Sequence, residues 1–480
     1  MTLSSVTGED AIAILETSAW EPGDPMRIAD ERMTFDLSIR ERLIFLNNWV
    51  DFNDSFDLRD DLALQHRLRF GIRTQITDEI AIYGQFQDSR TFFDEPAGPV
   101  FNREFINQDD PTELYQAFFE WKASPHLPID FQIGRQEWNW GDGRLLASNE
   151  WTNNGRVFDG VTMSFNQTDY KLSGFAGWPV IAESDTINSP DTEDLITGMY
   201  LEGNWSEKID IEPYLIFRSK SDRDVRTTLT NADNQNAGNL APPGDYITLG
   251  THIESKPGAY GPVDFRFEVA VQAGEISDPI GLGNNVGGQP INTGRQDFLA
   301  GAVHSQVGYT FEDSVGALRI FFEFNYASGD DDPNDNESHT FQPLFPEEHR
   351  FHGIQDRYAW MNMVEFVLGT EWQPVSRWQI ALSGHWFWIP ETNDVRRNSA
   401  QSALGGAARY AAALANNPGN FAAFEIDLVT RYRLTRWASL EAGYSHFFAG
   451  DYYRGSSPSL GGVVANDDID FAYLQLSLNF

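Results

Sequence analysis

The last twelve residues, Ile469–Phe480 (IDFAYLQLSLNF), constrain the fold more than any other stretch. Phe480, Leu478, Leu476, Leu474 and Ala472 share one parity; Asn479, Ser477, Gln475, Tyr473 and Phe471 take the other. A period of two over this length is a strand with one apolar face and one mostly polar face. Chain ends fray unless something ties them down, and this one stops on a large aromatic. A strand that must pair at the end of the chain points to a sheet that closes on itself; the alternative is an edge strand of a soluble β-domain.

Composition narrows the choice. Hydrophobic residues make up 41% of the 480, the mean hydropathy is −0.41, and no apolar run approaches the roughly 18 residues that a membrane-spanning helix needs. A helical membrane protein is excluded. A transmembrane β-barrel is not, because its strands bury only alternate residues in lipid, and an aromatic share of 14% suits its girdles. There is no cysteine, so neither a disulfide framework nor a thiolate metal site is available. The start, MTLSSVTGED, lacks a basic segment followed by an apolar one, so a signal peptide is either already removed or the chain is not exported. A net charge of −37 argues against nucleic acid as a partner.

Residues 1–33 show no period and read as an N-terminal extension to a single barrel domain over 34–480. From Thr34 onward the alternation recurs. The cleanest case sets Val263, Phe265, Phe267, Val269 and Val271 against Asp264, Arg266, Glu268 and Gln272. Counted to the end, about 18 such segments occur. The connections between them are alternately short (75–78, 167–168, 374–376, 435–436) and long (91–112, 137–155, 221–244, 329–359, 390–420). Strict alternation puts every tight turn at one end of the sheet and every long loop at the other. The predicted fold is therefore all-β: a transmembrane antiparallel up-and-down barrel of about 18 strands, with short periplasmic turns and long extracellular loops. Residues 398–417 read as a short helix within a loop. The run Gly329–Glu337 (GDDDPNDNE) reads as a solvated acidic loop, its spacing being unlike that of the twelve-residue Ca²⁺ loop.

A barrel of this size has an aqueous lumen lined by the polar parity of each strand. That parity carries Arg40, Arg42, Arg67, Arg69, Arg73 and Arg431, with Glu425 and Asp427 among the acids. Most such charges are expected to pair within a polar interior. The five arginines from Arg40 to Arg73 fall on adjacent strands with few inward acids nearby, and predict one electropositive wall in an otherwise acidic molecule. Arg135, Arg144 and Arg156 lie in a different setting, among Trp138, Trp140 and Trp151. Simple parity turns Arg135 to the lipid; either a bulge at Gly134 brings it inward or it sits near the membrane interface.

In this region the chain resembles the alginate-export family of outer-membrane barrels. Gly134-Arg135-Gln136 and Gly141-Asp142-x-Arg144 match the family's strand and turn. Tyr326–Asp330 (YASGD) and Phe341–Gly353 (FQPLFPEEHRFHG) are similar to its long loop, and Phe424–Leu428 with Leu440–Phe448 to its penultimate hairpin. The closing Phe480 is likewise similar to the aromatic end of outer-membrane barrels. The resemblance implies a location in the bacterial outer membrane, contact with its lipids, and a pore for an anionic polysaccharide such as alginate. Periplasmic export components are a further implied class of partner.

The chemistry agrees. A uronate chain carries a carboxylate on every sugar, and guanidinium fits it by a bidentate fork. One contact near 4 Å is worth about 4 kcal/mol at an effective dielectric of 20, so passage needs many weak sites; Glu425 and Asp427 are candidates to weaken the hold. The tryptophans are candidates for stacking on sugar faces or anchoring at the interface. No cofactor or nucleotide motif is readable, so transport is expected to be passive. The competing readings are an uptake porin for small anionic or neutral sugars, an outer-membrane enzyme using His339, His349 and His352, and an adhesive barrel closed by its loops.

Overall fold

The computed structural model describes residues 26–28, 32–48, 61–93, 109–123, 128–183, 186–203, 205–221, 242–277, 295–332, 335–392, 394, 419–452 and 468–480. Eighteen long strands follow one another: Met33–Asn47, Asp61–Gln75, Ile80–Phe92, Asp110–Trp121, Ile129–Gln136, Phe158–Asn166, Tyr170–Ile181, Asp194–Gly203, Ile209–Lys220, Gly244–Ser255, Val263–Ser277, Arg295–Phe311, Leu318–Ala327, Met363–Val375, Trp378–Trp388, Phe421–Arg433, Ala438–Ala449 and Ile469–Asn479. Each pairs antiparallel with the next. Ile469–Asn479 pairs with its predecessor on one edge and with Met33–Asn47 on the other, so the sheet closes. The closing seam runs to the last residue: Leu37 and Phe480 exchange backbone hydrogen bonds at 3.1 and 2.9 Å. The Phe480 ring stacks on Trp437 with centroids 5.2 Å apart.

Parity is kept around the wall except where bulges shift the register, as in Ile80–Phe92 against Asp110–Trp121 and in Trp378–Trp388 against Phe421–Arg433. Leu43, Phe45, Phe70, Ile82, Phe86, Leu249 and Leu368 point outward and are exposed, while Arg40, Arg42, Arg67 and Arg69 are buried inside. Exposed Trp121, Trp205, Tyr260, Trp372, Trp378 and Tyr432 gather at the tight-turn end, as an aromatic girdle requires. The tight connections are closed locally. At 76–79, the Thr77 hydroxyl accepts from the Glu79 and Ile80 N–H groups at 3.3 and 3.1 Å. Met26–Ile28 adds a short strand against Met33–Phe35. The helix expected at 398–417 lies outside the described residues.

The lumen differs from the prediction in its half nearest the long loops. There many inward positions are apolar, beside polar ones such as Arg42, Arg67 and Arg218: Phe175, Ile196, Tyr200, Tyr214, Tyr246, Phe298, Phe387 and Phe447 form one buried apolar cluster with Trp138, Leu145, Leu146, Phe341, Phe345, Tyr358 and Trp360. The last seven come from two loops, 137–157 and 328–362, folded into the barrel. Inward side chains at this level face packed protein rather than water, so burial favours apolar residues there. The interior core is made by loops meeting wall.

Candidate functional site in the barrel lumen

The two loops are shaped by their own residues before they meet the wall. Gly141 and Gly143 adopt φ +60° and +85°, a left-handed conformation that costs side-chain-bearing residues. Asp142 between them accepts the Arg144 N–H at 3.0 Å. Loop 137–157 then runs beside loop 328–362. Ala147 N–H donates to the Phe345 carbonyl (2.7 Å), Phe345 N–H to that of Leu145 (2.8 Å) and Glu347 N–H to that of Gly143 (2.9 Å). The Glu347 carboxylate accepts from the Glu150 N–H at 2.8 Å and the Trp151 N–H at 3.2 Å. Trp151 and His349 stack face to face, centroids 3.3 Å apart.

The basic wall grips this assembly. Arg40 and Arg67 are direct cross-strand neighbours. Arg40 donates to the Glu150 carbonyl (2.6 Å), the Thr152 carbonyl (3.0 Å) and the Asn153 side chain (3.2 Å). Arg42 donates to the Trp151 carbonyl and lies 3.6 Å over its ring. Arg67 and Arg69 hold the two oxygens of the Glu150 carboxylate at 2.8 and 2.7 Å. Burial opposes ionisation of Glu150, but Arg67 and Arg69 outweigh it and hold the carboxyl well below its usual range. Burial, and then Glu150 itself, push the neighbouring Glu137 up to about 7. Beneath lies a cavity of about 340 Å³ toward the tight-turn end, lined by Asp36, Arg67, Arg69, Gln85, Glu137 and Glu150 among others.

The acids expected to temper the pore do something else. Glu425 and Asp427 are fully buried and accept the Gln355 and Ile354 N–H groups, both at 3.1 Å, fixing loop 328–362. Gly353 is the residue that permits this approach. Its φ is +82°, and a Cβ there would stand 2.4 Å from a Glu425 oxygen. His352 and His385 each reach Glu365 at 2.7 Å, and His385 lies 3.4 Å from Asp427. His349 pairs with Asp356 at 2.9 Å.

The other predicted residues scatter. Arg144 is buried in the lumen over the Phe351 ring at 4.1 Å. Arg156 donates to the Pro346 carbonyl at 2.9 Å and serves the junction between the loops. Arg73 pairs with Glu120 and Arg431 with Glu441, both near the tight-turn end. Arg135 does not line the pore. The register runs through Gly134 without a bulge, so Arg135 keeps its outward parity at the long-loop end of its strand. There Asp159 takes it bidentately at 2.8 and 3.0 Å, and Glu113 lies at 3.3 Å. Nor do Trp138 and Trp140 face sugar or lipid: Trp138 stacks on Phe158 (4.4 Å) and Trp140 on Phe175 (5.3 Å).

One pattern went unread in the sequence. On successive strands the inward side chains at matching register are Glu212, His252, Glu268, His304, Asn325 and Glu365. Its signal is one histidine, carboxylate or amide on the polar parity of each strand, visible only once the register is known.

The family model for alginate export matches residues 32–464. The chain belongs to the alginate export family. It is an outer-membrane-type β-barrel pore, and its fold is shared with solved porins of very different sequence. Acinetobacter baumannii OccAB1 is 10% identical, with 96% of this chain and 99% of that one covered at a TM-score of 0.57. Pseudomonas aeruginosa OccK2 (OpdF) in complex with glucuronate is 10% identical, with 94% and 98% covered at 0.56. Pseudomonas aeruginosa OpdK with vanillate is 11% identical, with 93% and 98% covered at 0.54. No curated protein matched the chain.

Proposed function

We propose that this family member is a passive, non-catalytic pore of the bacterial outer membrane for uronate-bearing saccharide, and that loop 137–157 is the plug that the saccharide displaces. The observation that carries the reading is the fork at Glu150. Two arginines two residues apart on one strand, Asp61–Gln75, hold one carboxylate, facing a cavity of about 340 Å³. A uronate carboxylate is the same chemical group, so a chain entering from the cavity competes with Glu150 for Arg67 and Arg69. Each exchange swaps one charge-assisted pair for another, which keeps the net hold on the cargo weak. The family match supports an anionic polysaccharide as cargo; outer-membrane lipid and periplasmic export components are the partners this reading proposes.

A smaller uronate is the second reading, favoured by the cavity's size, which lies at the lower end of small-ligand pockets, and by the glucuronate held by a porin of the same fold. Single-channel recording in planar bilayers separates the two. Anion selectivity with block by oligouronates supports the pore reading. Block that strengthens with each added sugar beyond the dimer favours polymer, and block that is flat with length favours the small sugar. Cation selectivity with no uronate block would overturn both.

A further inference from the structure

We propose that Asp142, His252 and Glu268 form a binding site for a divalent transition-metal ion of the zinc class, joining the Gly-Asp-x-Arg turn of loop 137–157 to the barrel wall. His252 and Glu268 are inward, cross-strand neighbours on Gly244–Ser255 and Val263–Ser277, and Asp142 descends on them from the loop. One ligand atom from each lies within 4.8 Å of the other two.

The hydrogen bonding of the three side chains points to an ion between them. Tyr214 donates to Glu268 Oε1 at 2.8 Å, and Glu268 Oε2 is buried with no hydrogen-bond partner among the described residues. His252 Nδ1 is likewise buried and without one. Their residues are 4% and 3% exposed, and leaving such groups unsatisfied costs about 1–3 kcal/mol each. Asp142 Oδ1 is occupied by the Arg144 N–H at 3.0 Å. Each carboxylate thus has one oxygen tied by a hydrogen bond. His252 Nδ1 and Glu268 Oε2 stand 3.7 Å apart, too far to hydrogen-bond. Two ligands of one tetrahedral ion with bonds of about 2.1 Å stand about 3.4 Å apart.

Arg144 already stands at ion-pair distance from both carboxylates, so a metal ion would share them with it. The Arg144 guanidinium holds its Nε 3.7 Å from Asp142 and 3.9 Å from Glu268, and that Nε has no hydrogen-bond acceptor among the described residues. Glu254 lies 3.9 Å from His252 Nε2 and adds a further negative charge. One imidazole with two carboxylates selects zinc, nickel or copper over calcium and magnesium, which want oxygen alone. Tyr214 orients Glu268, as outer partners of metal ligands do.

The test is calorimetric titration of Zn²⁺ into the full chain folded in detergent, without a chelating buffer. His339→Ala is the background, because Asp330, Asp331 and His339 form a second, rim cluster able to hold metal. The expected result is one saturable site, weakened at least tenfold by His252→Ala and by Glu268→Gln. Co²⁺ in place of Zn²⁺ should give visible absorption that vanishes in the same variants. Heat-modifiable migration on gels verifies that each variant is a closed barrel, and Gln can still accept from Tyr214 should the histidine variant not fold. Absence of saturable binding, or binding that both variants retain, would overturn the proposal.

Discussion

Replacing Glu150 by Gln tests the plug most directly. The carboxylate accepts one hydrogen bond each from Arg67 and Arg69, at 2.8 and 2.7 Å. Bonds to a charged group are worth about 1.5–3 kcal/mol and neutral ones about 0.5–1.5. Two such exchanges therefore cost roughly 2–3 kcal/mol. The Glu150 side chain is 44% exposed to the cavity, so solvent screening brings the figure down to about 2 kcal/mol. At about 1.4 kcal/mol per decade, the loop's undocking equilibrium shifts roughly 30-fold.

The assay is open probability in planar bilayers, with proteolytic nicking of loop 137–157 as a second readout. The pH dependence supplies a check with a fixed sign. Glu150 has its folded value depressed below the ordinary 4.5, so the ion pair contributes fully above about pH 4.5 and fades as pH falls below it toward the folded value. Wild type and E150Q should therefore converge at low pH and differ most at neutrality. Equal open probability and equal nicking at pH 7 would refute the view that this fork holds the plug.

Three further outcomes follow from the same geometry. Burial pushes the Glu348 carboxyl up to about 8; an acid raised in the folded state loses stability as pH climbs from its unfolded value through the folded one. Glu348→Gln should thus protect loop 328–362 from hydrogen exchange more at pH 9 than at pH 6. Arg135→Ala leaves Asp159 and Glu113 without their cation and should cost about 3 kcal/mol in denaturant unfolding, with no change in ion selectivity, since Arg135 is outside the lumen. Gly353→Ala forces a Cβ toward Glu425 at an unfavourable φ and should loosen loop 328–362 by about 1–3 kcal/mol, read as faster loop exchange with wall strands unchanged.

The barrel itself was legible residue by residue. Alternation in Val263–Gln272 and Ile469–Phe480 is a local property of the pleat, and the spacing of tight turns orders the hairpins. Together they determined the number of strands, the closing seam and the inward direction of Arg40, Arg42, Arg67 and Arg69. What those arginines touch was not legible. Glu150 lies 83 residues from Arg67, and only the inward folding of two loops brings them together. The same folding reassigns Glu425 and Asp427 from tempering a pore to holding Gln355 and Ile354. It takes Trp138, Trp140 and Trp151 out of reach of cargo, and sets Asp142 beside His252 and Glu268. Sequence determines which face of a strand a side chain occupies, because that depends on its immediate neighbours. What fills the space in front of that face depends on loops far along the chain, and tertiary structure alone decides it.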